Sequence, residues 1–179
     1  NALARYASLC QESDLVPIVE PEILINGDHN ITKCDDVTKI SLNTLFEQLD
    51  IHNVFLGGTV LKPSMVISGD KNNNRADATT VAEMTINRLL DSCPTNLGGV
   101  AFLSGGQSDN EATSHLNIMN VSNKNLPWRV TFSYARAIQQ SALNHWRGKD
   151  ANLAGAQEIL ASRAKACSDA SVGLLPQQS

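Results

Sequence analysis

Lys62 has the type and the place in this chain that could do the most chemistry. It closes an apolar, β-rich run in which Val54, Phe55, Leu56, Val60 and Leu61 come before the lysine and Pro63 follows it. An ammonium beside so much apolar surface loses hydration, which disfavours its charged form. A lysine that can exist as the free amine is a nucleophile able to form a Schiff base with a carbonyl. The commoner fate of a strand-end lysine is to snorkel into water, so its neighbours have to decide. Three other apolar runs end in polar groups: LVPIVE at Glu20, GVAFLSGG at Ser104 to Gly106, and WRVTFSYAR at Arg136. Glu20 and Glu22 flank Pro21, and alternate residues of an extended segment share a face. Two carboxylates beside an amine could move the protons that imine formation requires, although solvated loop acids are the usual meaning of EPE. Ser104, Gly105 and Gly106 precede a helical pattern, where backbone N–H groups and a hydroxyl can cradle a phosphate. Arg136 could add a bidentate contact to such a phosphate, or form a surface ion pair.

The elements that would carry these groups alternate along the chain. Glu20 to Lys62 is 42 residues, Lys62 to Ser104 is 42, and Ser104 to Arg136 is 32, each gap holding a loop and a helical pattern. Consecutive strand–helix units that each present a polar group at the strand's C-terminal end predict an α/β fold of the (β/α)8 TIM-barrel type. Strands are predicted at 15–20, 53–62, 99–104 and 128–133. Helices are predicted at 2–11, 31–49 (capped by Thr32), 78–90, 109–119, 135–146 and 152–167. The SGDKNNNRAD loop reads as exposed and mobile, and residues 166–179 read as a disordered tail. Four units are half a barrel, and the sequence starts inside a helical pattern. The chain therefore reads as part of a longer barrel domain, and the family resemblance described below implies that residues 1–165 are its C-terminal half.

Composition narrows the partners. The 179 residues carry 14 basic and 18 acidic side chains, for a net charge of −4 with no basic tract. Nucleic acid and anionic membrane are poor partners for such a surface. No apolar run reaches the length of a membrane span. Cys10, Cys34, Cys93 and Cys167 lie far apart without a CxxC pair, which suits reduced thiols in an intracellular protein. His29, His52, His115 and His145 lack ligand spacing, and the Asp28–His29 pair follows a glycine in a loop. No metal site is expected.

Five segments then carry a family resemblance: LARYASLCQ, VPIVEPEIL with NGDHNI, GTVLKPSMV, FLSGGQS and TFSYARAIQQSAL. Their order and spacing resemble the second half of class I fructose-1,6-bisphosphate aldolase, from residue 1 to about residue 165. The resemblance implies reversible cleavage of fructose 1,6-bisphosphate to dihydroxyacetone phosphate and glyceraldehyde 3-phosphate, in glycolysis and gluconeogenesis, without a cofactor or metal. It implies Lys62 as the Schiff-base lysine, Glu20 as general acid/base and Glu22 as its hydrogen-bond partner. Ser104, Gly105, Ser133 and Arg136 match the residues that bind the substrate phosphates, with Ala135 in place of a glycine whose N–H faces phosphate. A cytoplasmic homotetramer is the family's usual state.

Three departures accompany the resemblance. SYAR stands for the family's SYGR, a mild change at Ala135 if φ is negative and a strained one if φ is positive. LGGT stands for LEGT, so that Gly57 replaces a glutamate on the strand before Lys62. The end, Gln177, Gln178 and Ser179, lacks the family's tyrosine. An aspartate and two lysines of the family's first half have no counterpart here. The alternative expectations are a non-catalytic half-barrel serving as an oligomer or scaffold component, and Schiff-base chemistry on another phosphorylated sugar.

Overall fold

The computed structural model describes residues 1–175. Ten elements follow in chain order: α1 (Ala2–Glu12), β1 (Ile18–Val19), α2 (Ile31–Ile51), β2 (Val60–Leu61), α3 (Ala78–Ser92), β3 (Gly99–Phe102), α4 (Asp109–Ser122), β4 (Val130–Phe132), α5 (Arg136–Trp146) and α6 (Leu153–Ala170), with short 3₁₀ turns at Leu56–Gly58 and Asp150–Asn152. The strands form one parallel sheet in the order β1-β2-β3-β4. Each crossover is a helix, the connection that parallel neighbours require.

Helix starts follow from short polar side chains that satisfy first-turn N–H groups. Asn30 accepts from Lys33 N–H at 2.9 Å, so the cap of α2 is Asn30, and Thr32 lies inside the first turn. Asp77 caps α3 by accepting from Thr80 N–H at 3.0 Å. Ser108 and Glu111 form a reciprocal capping box at α4, the pattern in which each side chain serves the other's backbone.

The sheet has two unlike faces. Val19, Leu61, Val100, Phe102 and Val130 are buried against the helices, together with Leu42, Leu49, Ile86, Leu89, Leu116 and Met119. On the opposite face Ile18 is exposed, while Val60, Lys62, Thr131 and Ser133 are half-buried. Parallel sheets are ordinarily covered on both faces. Among the described residues helices cover only the first, although Ala101 on the second is buried as well.

The paired strands are shorter than the apolar runs. Leu15 and Val16 are exposed ahead of β1, and β2 begins only after the 3₁₀ turn. That turn forms because Gly57 and Gly58 leave room for the Phe55 ring: a Cβ on Gly57 would sit 2.8 Å from Phe55 Cζ. Gly57 therefore lies in an exposed turn at the N-terminal end of β2, and not in a strand interior.

Nor are the described residues from 166 to 175 a disordered tail. The last helix continues to Ala170, Cys167 and Ala170 are fully buried, and Leu175 N–H donates to Asn117 Oδ1 at 3.0 Å. Apolar small residues at 167 and 170 give α6 a stripe that packs on α4, a signal that the glycine and proline downstream obscured. Residues 176–179, Gln177, Gln178 and Ser179 among them, lie outside the described residues. From the middle of α6, Arg163 donates to the Asp109 carbonyl and to Thr113 Oγ1, both at 2.7 Å, and so joins α6 to α4.

Candidate active site

Strand register brings Glu20 and Lys62 together. Ile18 pairs with Val60 and Val19 with Leu61, so the next residues of the two strands, Glu20 and Lys62, emerge abreast. Lys62 N–H donates to the Val19 carbonyl at 2.7 Å, which extends the ladder to this level. Paired residues of adjacent strands point to the same face, and Lys62 Nζ lies 3.2 Å from Glu20 Oε1. The lysine side chain is 20% exposed and the carboxylate 45%. Lys62 is therefore an ion-paired amine, and not the solitary ammonium among apolar groups that its strand-end position suggests. Glu22, two residues on, is exposed and makes no salt bridge among the described residues.

Two loops above this pair are joined to each other. Gly69, Asp70 and Lys71 N–H groups donate to the His29, Ile25 and Gly27 carbonyls, each at 2.9 Å. Gly27 N–H returns a bond to Asp70 Oδ1 at 2.9 Å. The approach is so close that any Cβ on Gly69 would run into the Gly27 carbonyl oxygen. Ile23 N–H donates to Ser64 Oγ at 2.8 Å, tying the segment after Glu20 to the segment after Lys62. The SGDKNNNRAD loop is exposed, as its composition suggests, but it is also tied down: Asn72 Nδ2 reaches the Asp28 carbonyl at 2.8 Å, and Ala76 N–H reaches Ser68 Oγ at 3.1 Å.

The groups expected to hold phosphate lie after β3 and β4, at the same C-terminal edge of the sheet. Ser104 is buried, and Gly105 and Gly106 have φ of +56° and +84°, values that favour glycine. Ser133 N–H donates to the Phe102 carbonyl at 2.8 Å, and so levels the end of β4 with the end of β3. Ala135 has φ −98° and ψ −73°, so the replacement of glycine is unstrained. Arg136 begins α5, is exposed, and enters no salt bridge among the described residues.

A family description, "Glycolytic: Fructose-bisphosphate aldolase class-I", matches residues 1–179. The chain belongs to the class I fructose-bisphosphate aldolases. It is 47% identical over 173 residues to the cytoplasmic isozyme of Spinacia oleracea, covering 97% of this chain and 48% of that one. Identity to aldolase B of Sparus aurata is 48% over 165 residues, covering 92% and 45%. A solved aldolase from Plasmodium falciparum, in complex with TRAP and a small-molecule inhibitor, superposes with a TM-score of 0.94 at 46% identity, covering 99% of this chain and 51% of that one. The chain thus spans about half the length of the relatives it matches. Its four β/α units and closing helix are part of the aldolase TIM barrel.

Two residues whose roles are not evident from the sequence tie the loops of this candidate site together. Ser64 and Asp70 each bridge the β1 and β2 loops. Their only sequence signal was position, since both follow Lys62 within the loop after its strand. Among the described residues no cluster of three or more His, Cys, Asp or Glu has metal-holding geometry, and no helix is long and apolar enough to cross a membrane. The four cysteines are free, and burial pushes the Cys93 thiol up to about 12.

Proposed function

We propose that this chain carries the Schiff-base half of a fructose-1,6-bisphosphate aldolase. The observation that carries the reading is the Lys62–Glu20 pair, 3.2 Å apart at the C-terminal edge of a parallel sheet. Glu20 takes a proton from the Lys62 ammonium, and the freed amine attacks the C2 ketone of the open-chain sugar bisphosphate. The resulting carbinolamine loses water after the protonated Glu20 returns its proton to the hydroxyl. What remains is a protonated imine on Lys62, which withdraws electrons from the adjacent carbon. Glu20, a carboxylate again, takes the C4 hydroxyl proton as the C3–C4 bond breaks, which releases glyceraldehyde 3-phosphate and leaves an enamine. Return of that proton to the enamine at C3, followed by addition of water to the imine, frees dihydroxyacetone phosphate and restores the lysine.

Glu22 supports Glu20, and Ser104, Gly105, Ser133, the Ala135 N–H and Arg136 hold the phosphates. A glycolytic role in the cytoplasm, association with further copies and the remaining barrel units belong to the same reading, supported by the relatives and by the one-sided sheet. The test is incubation with dihydroxyacetone phosphate, reduction by borohydride and peptide mapping by mass spectrometry. An adduct on Lys62 is the expected result. A folded chain that gives no adduct would confine the chemistry to a longer polypeptide.

A further inference from the structure

Two buried polar side chains hold the Ser104–Gly106 turn from behind. The Ser104 carbonyl accepts two hydrogen bonds at 3.0 Å, one from Gln107 N–H and one from Gln107 Nε2. A carboxamide that donates through Nε2 has its Oε1 free for another donor, and here Oε1 lies 2.6 Å from His115 Nδ1. Only a protonated Nδ1 can donate to that oxygen, which puts the imidazole hydrogen on Nδ1 and the lone pair on Nε2. Gln107 and His115 are each 5% exposed. Burial pushes the imidazole down to about 4, which keeps it neutral and the tautomer fixed at ordinary pH. The turn itself is built from two glycines at positive φ, residues that lose the most conformational freedom when ordered. Its shape must come from somewhere else, and the doubly bonded Ser104 carbonyl is the contact that supplies it.

We propose that Gln107, oriented by His115, is a positioning residue that locks the Ser104–Gly106 turn with its Gly105 and Gly106 N–H groups presented to a substrate phosphate. The inference rests on the phosphate-binding reading of this turn given above. Neither side chain touches substrate. The gain is pre-organisation: the turn is ordered before the phosphate arrives.

The test compares Gln107→Met, which keeps the length and loses both hydrogen bonds, with His115→Phe, which removes only the donor to Gln107. Borohydride trapping at Lys62 is timed with dihydroxyacetone phosphate and with dihydroxyacetone, and the ratio of the two rates is the readout. In Gln107→Met the ratio falls by about tenfold, the scale of one or two lost hydrogen bonds, while the rate with dihydroxyacetone is unchanged. In His115→Phe it falls less. General damage to the fold would lower both rates together, and an unchanged ratio in either folded variant would overturn the inference. Should Gln107→Met not fold, His115→Phe carries the same comparison.

Titration of inorganic phosphate, followed at the Gly105 and Gly106 amides by ¹⁵N NMR, separates the two readings. If the unsubstituted chain responds to phosphate but forms no imine, the fault lies with the lysine chemistry. The same titration in Gln107→Met, expected to be about tenfold weaker, then decides the matter. No response at either amide in the unsubstituted chain overturns the phosphate reading and the inference with it.

Discussion

Lowering the pH should destabilise this fold through His115. The folded chain holds the imidazole neutral down to about pH 4, whereas an unfolded histidine takes up its proton near pH 6.5. Between those values the unfolded chain binds more protons, so stability falls as the pH falls through that window and is unaffected by His115 above it. Each tenfold difference in proton affinity is worth about 1.4 kcal/mol, which makes the loss about 2 kcal/mol by pH 5 and about 3 kcal/mol by pH 4. With a urea m-value of about 2 kcal/mol/M, usual for a domain of this size, the midpoint should drop by about 1 M between pH 7 and pH 5. Desolvation is the main cause; Glu111 opposes it and Arg75 assists it. Other carboxylates also titrate below pH 5, among them Glu111 and Asp77, whose hydrogen-bonded anions are stabilised in the fold. Urea unfolding of the unsubstituted chain is therefore compared with His115→Gln at each pH, because the difference cancels the carboxylates. The absolute stability of the variant does not matter, only its slope against pH. Parallel loss of stability in the two proteins from pH 7 to pH 5 would refute the argument.

Three further outcomes follow from the geometry. Lys62→Arg removes the only proposed imine site and should abolish borohydride trapping, while Glu20→Gln should slow it by about 10² or more; equal trapping in Glu20→Gln would show that the 3.2 Å partner does not move the proton. Ala135→Gly should destabilise by less than about 1 kcal/mol, since φ −98° suits alanine; thermal unfolding that shows glycine to be clearly the more stable residue would contradict that backbone. Cys93 is buried and its thiol is held protonated, so iodoacetamide should label Cys10, the one partly exposed cysteine, well before Cys93; peptide mapping of a time course reads the order.

Much of this molecule was legible in its residues, for identifiable reasons. Glu20 and Lys62 both stand directly after an apolar run, and a parallel ladder makes such residues level once the register is set. Alternation of strand and helix likewise follows from regular spacing. What the sequence could not show is where an apolar run stops being a strand. Phe55 belongs to such a run, yet its ring folds over Gly57 and Gly58, and the strand starts only at Val60. Asn30 outcompetes Thr32 as a cap through one local hydrogen bond, a choice of geometry that residue type leaves open. Gln107 and His115 stayed hidden for a different reason. A buried glutamine looks like a surface one until the fold encloses it, and their link spans residues that share only a helix start.

The one-sided sheet bears on how fast the chemistry can run. Val19, Leu61, Val100 and Phe102 bury the apolar surface of the strands on the helices, leaving Ile18 exposed and Val60, Lys62 and Thr131 only half-buried on the other face. Attraction between Lys62 and Glu20 is weak in water and strong in a dry cavity, and proton transfer within the pair needs the geometry to persist. A carboxylate that is 45% exposed exchanges its partner for solvent. Cover over this face should therefore speed imine formation without adding any catalytic group, by holding the pair together and excluding water. Trapping rates should rise when the other barrel units of a class I aldolase are supplied in trans, even with their own acids and lysines replaced by neutral residues. If only catalytically intact units raised the rate, exclusion of water would not be what the open face lacks.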